Sequence, residues 1–140
     1  MIEKIIIEIT VITHATENRQ NIYNHIQENL GVSESELTVQ DLIGHHDNPI
    51  QLVRYELKNK RAWHILDIIK SNISKDDMEM IFEMNDIQGQ SALYLRLDKQ
   101  KIVEDKIVIS ETGSVRIKIH IPVYTKKDML ETYRDKLFTN

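Results

Sequence analysis

The chain has 140 residues, of which 29% are charged, with a formal net charge of −4 and no cysteine. Its length predicts one domain, spanning residues 1–140, that buries about two-thirds of the surface of the unfolded chain. The lack of cysteine excludes a disulfide framework, a thiolate zinc site and a cysteine nucleophile. No apolar run approaches the roughly 20 residues of a membrane helix, so we expect a soluble cytoplasmic protein with no membrane partner.

A change in the spacing of the apolar residues predicts the first strand and the helix that follows it. Between Ile5 and Val11 every second residue is apolar and β-branched, which is typical of a half-buried strand. From Thr16 the apolar residues fall at helical spacing, and Gly31 offers the left-handed conformation in which helices commonly end. We therefore predict a helix over residues 16–30.

A hairpin is predicted next. Residues 37–45 are loosely patterned as a strand, and residues 53–57 alternate cleanly. Between them, Asp47 and Asn48 are turn formers, and Pro49 biases Asn48 toward extended geometry.

Two helices are predicted to follow. Asn59 or Lys60 can begin the first, whose apolar stripe continues to Ile73. Ser74 and Asp77 then have the spacing of a capping box, which begins the second helix.

The remaining chain is predicted to be mainly strands. Residues 93–100 begin with alternating leucines, residues 101–104 suit a helical turn, and a strand is expected at residues 107–109. A tight turn containing Gly113 leads to a strand over residues 115–124, and Thr125 can cap a final helix. This order predicts an α+β two-layer sandwich, with a mostly antiparallel sheet covered by helices on one face.

The face without helices is predicted to be basic and aromatic. Arginine and lysine neutralise phosphates, and aromatic or guanidinium planes stack on unpaired bases, so such a face suits single-stranded or looped RNA. A solvated strand face also alternates charges, and Glu8 and Glu56 can neutralise part of this one. The candidate residues are Arg54, Tyr94, Arg96, Arg116, Lys118, His120 and Tyr124.

The sequence gives little support for catalysis or a metal. His45, His46 and Asp47 are adjacent, but neighbouring side chains on a strand point apart. The spacing of the other histidines does not indicate a further metal ligand. No phosphate-binding glycine loop, Gly-x-Ser-x-Gly or His-Glu-x-x-His motif occurs. We expect no enzyme activity, no cofactor and no metal.

Two short segments carry a family resemblance. GHHDNPI at residues 44–50 and LRLDKQ at residues 95–100 are similar to the H-x-G-N-P-I and L-R-x-D-K-Q segments of an archaeal family labelled predicted exosome subunit or RNA-binding protein. The resemblance covers almost the whole chain. It implies a fold like the ribosomal protein L-five domain and an RNA-binding role in archaeal RNA processing.

The resemblance also nominates individual residues. The resemblance implies that Lys99 and Gln100 contact RNA, in addition to Arg96. Asp47 stands where the family has glycine, which places a negative charge beside any phosphate path. The residues expected to organise the fold, by joining the turn to the strand end, are His45, Asn48, Pro49 and Asp98.

Three functions remain open on these observations. The first is a non-catalytic RNA-binding accessory factor, with ribosomal or structured RNA and exosome- or ribosome-associated proteins as partners. The second is a protein-interaction module or homodimer, pairing through the sheet face or edge with Ile6, Leu52 and Tyr94 as apolar contacts. The third is a small hydrolase. Salt separates the first two, because association driven by phosphates weakens as salt rises.

Overall fold

The computed structural model describes residues 4–85, 92–121 and 133–134. These residues form one antiparallel sheet of five strands in the order β2-β3-β1-β5-β4. In chain order the elements are β1 (Ile6–His14), α1 (Arg19–Leu30), β2 (Leu37–Ile43), β3 (Pro49–Lys58), α2 (Lys60–Asn72), α3 (Lys75–Met84), β4 (Leu93–Leu97), α4 (Lys99–Val103) and β5 (Val115–His120).

The core lies between the sheet and the helices. Alternate residues of the four strands β1, β3, β4 and β5 are buried against apolar residues of α1, α2, α3 and α4. The opposite face of the sheet carries half-buried and exposed side chains. The expected α+β arrangement is confirmed, including the burial of Leu93, Leu95, Leu97, Ile117 and Ile119.

Local chemistry fixes the helix ends. Asn18 caps α1 by accepting a hydrogen bond from the backbone of Asn21 at 3.2 Å. The helix ends at Gly31, whose φ of 74° is in the left-handed region. The predicted capping box of α3 is present, with reciprocal bonds of 3.0 and 3.1 Å between Ser74 and Asp77. No helix in the described ranges is long and apolar enough to cross a membrane.

Several predicted boundaries were wrong. Helix α1 begins at Arg19 rather than Thr16, because Asn18 caps it. Within the stretch at residues 93–100, β4 ends at Leu97 and Asp98 caps α4.

The C-terminal predictions also changed. The strand expected at residues 107–109 is a single bridge from Ile109 to Leu97, since β4 turns into α4 immediately afterwards. Strand β5 ends at His120. Tyr124 and the helix predicted from Thr125 lie outside the described residues, apart from the helical pair 133–134.

Candidate functional site

The open face of the sheet brings three arginines into one row. Thr10 of β1 is paired with Arg54 of β3 on one side and with Arg116 of β5 on the other. Arg116 in turn lies directly opposite Arg96 of β4. Alternation predicted that these arginines share one face, and the strand order aligns them in a row that crosses four strands.

The neighbouring row divides the face into two halves. On the β1–β3 side, Glu8 lies opposite Glu56, and on the β4–β5 side, Lys118 lies opposite Tyr94. Lys118 also faces Glu8 across β1 and β5. The Tyr94 side chain is 45% exposed. Glu8 thus reduces the positive charge around Lys118 as well as on the β1–β3 side, and Glu56 pairs with Lys58 at 3.4 Å. The cations of the β4–β5 half that face no acid on a neighbouring strand are Arg96 and Arg116.

The side chains of Arg96 and Arg116 have no hydrogen-bond or ion-pair partner among the residues that the structure describes. Arg116 is exposed and Arg96 is half-buried. Like charges directly opposite each other on neighbouring strands are destabilising. This pair therefore carries a cost to stability that a bound anion would offset.

A cleft of about 490 Å³ lies at the end of the arginine row. We call it the basic cleft. It is formed where β1 and β4 end and where β3 and β5 begin, together with the segments at residues 44–48 and 112–114. Its lining residues are Ile12, His14, Gly44, His45, Asn48, Ile50, Arg96, Lys99, Thr112, Gly113, Ser114 and Arg116.

The basic cleft joins residues that are far apart in sequence. His45 and Asn48 come from the first motif, and Arg96 and Lys99 come from the second. Arg116 comes from the basic strand face. The sequence treated motif and face as separate candidates, whereas the structure places parts of both in one cleft. Ile50 also belongs to the first motif, whereas nothing in the sequence marked Ile12 or residues 112–114, which reach the cleft through the pairing of the strands.

Lys99 is held inside the protein. It is 9% exposed, and its Nζ donates to the Ile12 carbonyl at 3.1 Å and to Glu17 Oε1 at 3.0 Å. This arrangement differs from the free cation expected of a phosphate ligand. The neighbouring Gln100 is exposed and lines a smaller adjoining cleft of about 300 Å³.

The Glu17–Lys99 pair predicts a loss of stability in acid. Partial burial alone would raise the pKa of Glu17, but the hydrogen bond from the His14 N–H and the pairing with Lys99 outweigh it and hold the pKa below its ordinary value of 4.5. A lowered folded-state pKa adds stability above pH 4.5 that is lost as the pH falls through that folded-state pKa. Glu17→Gln should therefore lose less stability than the wild type in urea unfolding between pH 6 and pH 3, with Glu28→Gln as the exposed control. Equal losses would contradict this role for Glu17.

The segment at residues 44–48 is a tight turn. The Gly44 N–H donates to the Asn48 carbonyl at 2.7 Å, and the Asn48 N–H donates to the His45 carbonyl at 3.2 Å. His46 and Asp47 have φ values of 57° and 58°, in the left-handed region. Glycine enters this region without steric cost. Aspartate also tolerates it.

The chain around the turn is tied to neighbouring elements. The Pro49 carbonyl accepts a bond from the Ala15 N–H at 3.3 Å, which joins the start of β3 to the end of β1. Asp98 caps α4 by accepting from the Lys101 backbone at 3.0 Å. The side chain of Asp98 thus acts at the start of α4.

Another polar group lies between helix α1 and the residues that follow α4. Potential ligand atoms of His25, Glu28 and Asp105 all fall within 4.8 Å of one another. Hydrogen bonds from Asn29 and then from His25 hold the pKa of Asp105 below its usual value. These bonds already account for the Asp105 carboxylate as a tie between the two elements. Sequence spacing missed it because α4 docks on α1 only in the folded chain.

Comparison with known proteins gives consistent results. A family model described as RNA binding matches residues 6–123. An uncharacterised protein of Methanocaldococcus jannaschii is 27% identical, covering 92% of each chain. An RNA-binding protein of Pyrococcus abyssi is 26% identical, covering 94% of this chain and 92% of that protein. A crystal structure of a protein from Archaeoglobus fulgidus has the same fold, with a TM-score of 0.79, 22% identity and coverage of 96% and 99% of the two chains.

Proposed function

Because the chain belongs to the family described as RNA binding, we propose that it is a non-catalytic RNA-binding protein that uses the β4–β5 half of the open sheet face. The observation that carries this proposal is the pair Arg96 and Arg116, which lie opposite each other with no partner in the described part of the chain. Two unpaired guanidiniums in a chain of net charge −4 form a local site for anions.

The two rows of the β4–β5 half can hold a single strand. Rows on one face are two residues apart, which is about 7 Å along the strands. Tyr94 offers an aromatic ring for base stacking, and Lys118 offers a charge for the phosphate beside it. Arg96 and Arg116 take the next phosphate. The Glu8–Glu56 pair repels phosphate from the β1–β3 half, so the strand follows β4 and β5.

The remaining nominated residues have secondary roles in this proposal. Arg54 extends the arginine row from β3 and adds long-range attraction. Gln100 offers an exposed amide near the cleft entrance. Lys99 acts through its bonds to Glu17 and Ile12, which hold the cleft wall in place. His45, Asn48, Pro49 and Asp98 maintain the turn and the start of α4.

Lys118→Ala tests the proposed path. If Lys118 neutralises one phosphate of a single strand, its loss should weaken RNA binding several-fold and make the plot of log affinity against log salt shallower by about 0.7. The measurement is filter binding of an unstructured RNA at three salt concentrations. Lys60→Ala removes an exposed lysine of the same charge from the helix layer and should change neither quantity. Equal effects of the two variants would place the interface elsewhere.

The biological setting is also part of the proposal. We infer a cytoplasmic accessory factor in archaeal RNA processing, associated with the exosome or the ribosome, and a fold relationship to the ribosomal protein L-five domain. The resemblance of residues 44–50 and 95–100 supports this setting. Capture of the protein's partners from native lysate, with and without ribonuclease, tests it: exosome or ribosomal components that disappear with ribonuclease are joined through RNA.

One observation favours a second function, self-association through strand β2. This edge strand is paired on one side with β3, and it exposes Val39, Leu42 and Ile43, the last to 75%. Exposed apolar edge strands pair readily with another chain. A concentration-dependent dimer in sedimentation, insensitive to salt and lost in Ile43→Lys, would support this function, and a monomer at all concentrations would remove it.

A further inference from the structure

We propose that the basic cleft binds the phosphorylated end of an RNA strand, that is, a terminal nucleotide carrying a phosphomonoester. This inference rests on the proposed RNA-binding function and specifies the ligand of its cleft. The chemistry is shared by the 5′-phosphate and 3′-phosphate ends of an RNA and by a free nucleotide, and the experiments below separate these sources.

The first argument is charge. None of the residues that line the basic cleft is Asp or Glu, although the chain as a whole has more acidic than basic residues. The guanidinium groups of Arg96 and Arg116 line it without a hydrogen-bond or ion-pair partner in the described ranges of the chain. Lys99 also lines it, with its charge already balanced by Glu17 at 2.9 Å. Two free guanidiniums therefore remain for the ligand.

A terminal phosphate matches this charge better than an internal one. A phosphomonoester carries about −1.5 to −2 at neutral pH, whereas a phosphodiester carries a single charge. Guanidinium groups also bind phosphate oxygens in a bidentate manner. The second negative charge of a strand end compensates the second arginine, which an internal phosphate would leave partly uncompensated.

The second argument is position. The proposed RNA path runs along β4 and β5 from Tyr94 and Lys118 to Arg96 and Arg116. Beyond this row the sheet face gives way to the cleft, with residues 44–48 and 112–114 among its walls. Arg96 and Arg116 belong both to this last row and to the lining of the cleft, so the phosphate that they hold is the last one of a strand that follows the path. The cleft is thus placed to receive the end of the strand.

The third argument is size and lining. A volume of about 490 Å³ falls within the range of small-molecule sites, which is suited to about one nucleotide and too small for a duplex. Ile12 and Ile50 provide apolar surface for a base or ribose. Asn48, Thr112 and Ser114 provide amide and hydroxyl groups that can bond phosphate or ribose oxygens.

The test compares RNAs of one sequence that differ only at their ends. The set is a 5′-phosphate, a 3′-phosphate, a form with hydroxyls at both ends, and a circular form. We expect one of the two phosphorylated RNAs to bind at least roughly tenfold more tightly than the hydroxyl and circular forms, and the preferred end identifies the source. Equal binding of all four RNAs would overturn the cleft proposal while leaving RNA binding in place.

Variants localise the effect to the cleft. Arg116→Gln should abolish the preference for the phosphorylated end. Arg54 lies in the same row but outside the cleft lining. Arg54→Gln should therefore weaken the binding of all four RNAs equally and keep the preference for the phosphorylated end. Thermal unfolding checks that both variants are folded. Loss of the preference in Arg54→Gln and its retention in Arg116→Gln would contradict the assignment.

Free nucleotides separate failure of the cleft from failure of RNA binding. Adenosine 5′-monophosphate and 3′-monophosphate are titrated by calorimetry against the wild type and Arg116→Gln. If no RNA binds but a monophosphate binds in an Arg116-dependent manner, the proposed function fails and the cleft is a nucleotide site. If neither RNA nor monophosphate binds, both proposals fail.

Discussion

Replacing Arg96 and Arg116 together with alanine should lower RNA affinity at least roughly tenfold. Each side chain contributes a phosphate or stacking contact worth about 1 to 3 kcal/mol. Fewer neutralised phosphates release fewer counterions, so the plot of log affinity against log salt should become shallower by about one to two units. Filter binding at three salt concentrations measures both quantities.

The folded state should tolerate this double change. The variant removes a like-charge pair on neighbouring strands, so its stability should be unchanged or higher by a few tenths of a kcal/mol. Lys60→Ala with Lys75→Ala removes the same charge from the exposed helix layer and serves as the matched control. Unchanged affinity and slope in a folded Arg96→Ala, Arg116→Ala protein would refute the sheet-face interface.

Gly113→Ala should destabilise the protein by about 1 to 3 kcal/mol, as overpacking typically does. A Cβ at this position would collide with the backbone carbonyl of Leu97 and lie 3.1 Å from the nitrogen of Asp98. Neither backbone group can move freely, because Leu97 pairs with Val115 and Asp98 caps α4. Urea unfolding gives the change in free energy.

Gly44→Ala is the matched control for this substitution. It also lines the basic cleft, but its Cβ would meet its nearest neighbours, the Asn48 carbonyl oxygen and the Ile50 side chain, at 3.4 Å. Its destabilisation should be clearly smaller. Equal stability of Gly113→Ala and the wild type would show that the turn shifts at little cost, and the wall of the cleft would then be less rigid than the close contact indicates.

Sequence patterns predicted the structure correctly where the feature depends on residues within one short segment. Alternation assigned Leu93, Leu95, Arg96 and Arg116 to the correct faces, because successive side chains of a strand point to opposite sides. The Ser74 box was found for a similar reason, since its bonds join residues three apart. Alternation failed at Ile107 and Ile109, where the chain has the pattern of a strand but forms a single bridge, from Ile109 to Leu97.

The sequence by itself therefore determined the two-layer class, the basic character of one face and the turn before Pro49, all of which depend on short-range periodicity or turn chemistry. Only the tertiary structure decided that β1 lies between β3 and β5, because this order depends on hydrogen bonds between strands distant in the chain. That order places the two motif segments in one cleft, and it brings Lys99 to Glu17 and Ile12, more than eighty residues away. A lysine within a charged segment has the local signature of an exposed residue, and its burial follows from the packing of α4 beside the end of β1, which no local pattern encodes.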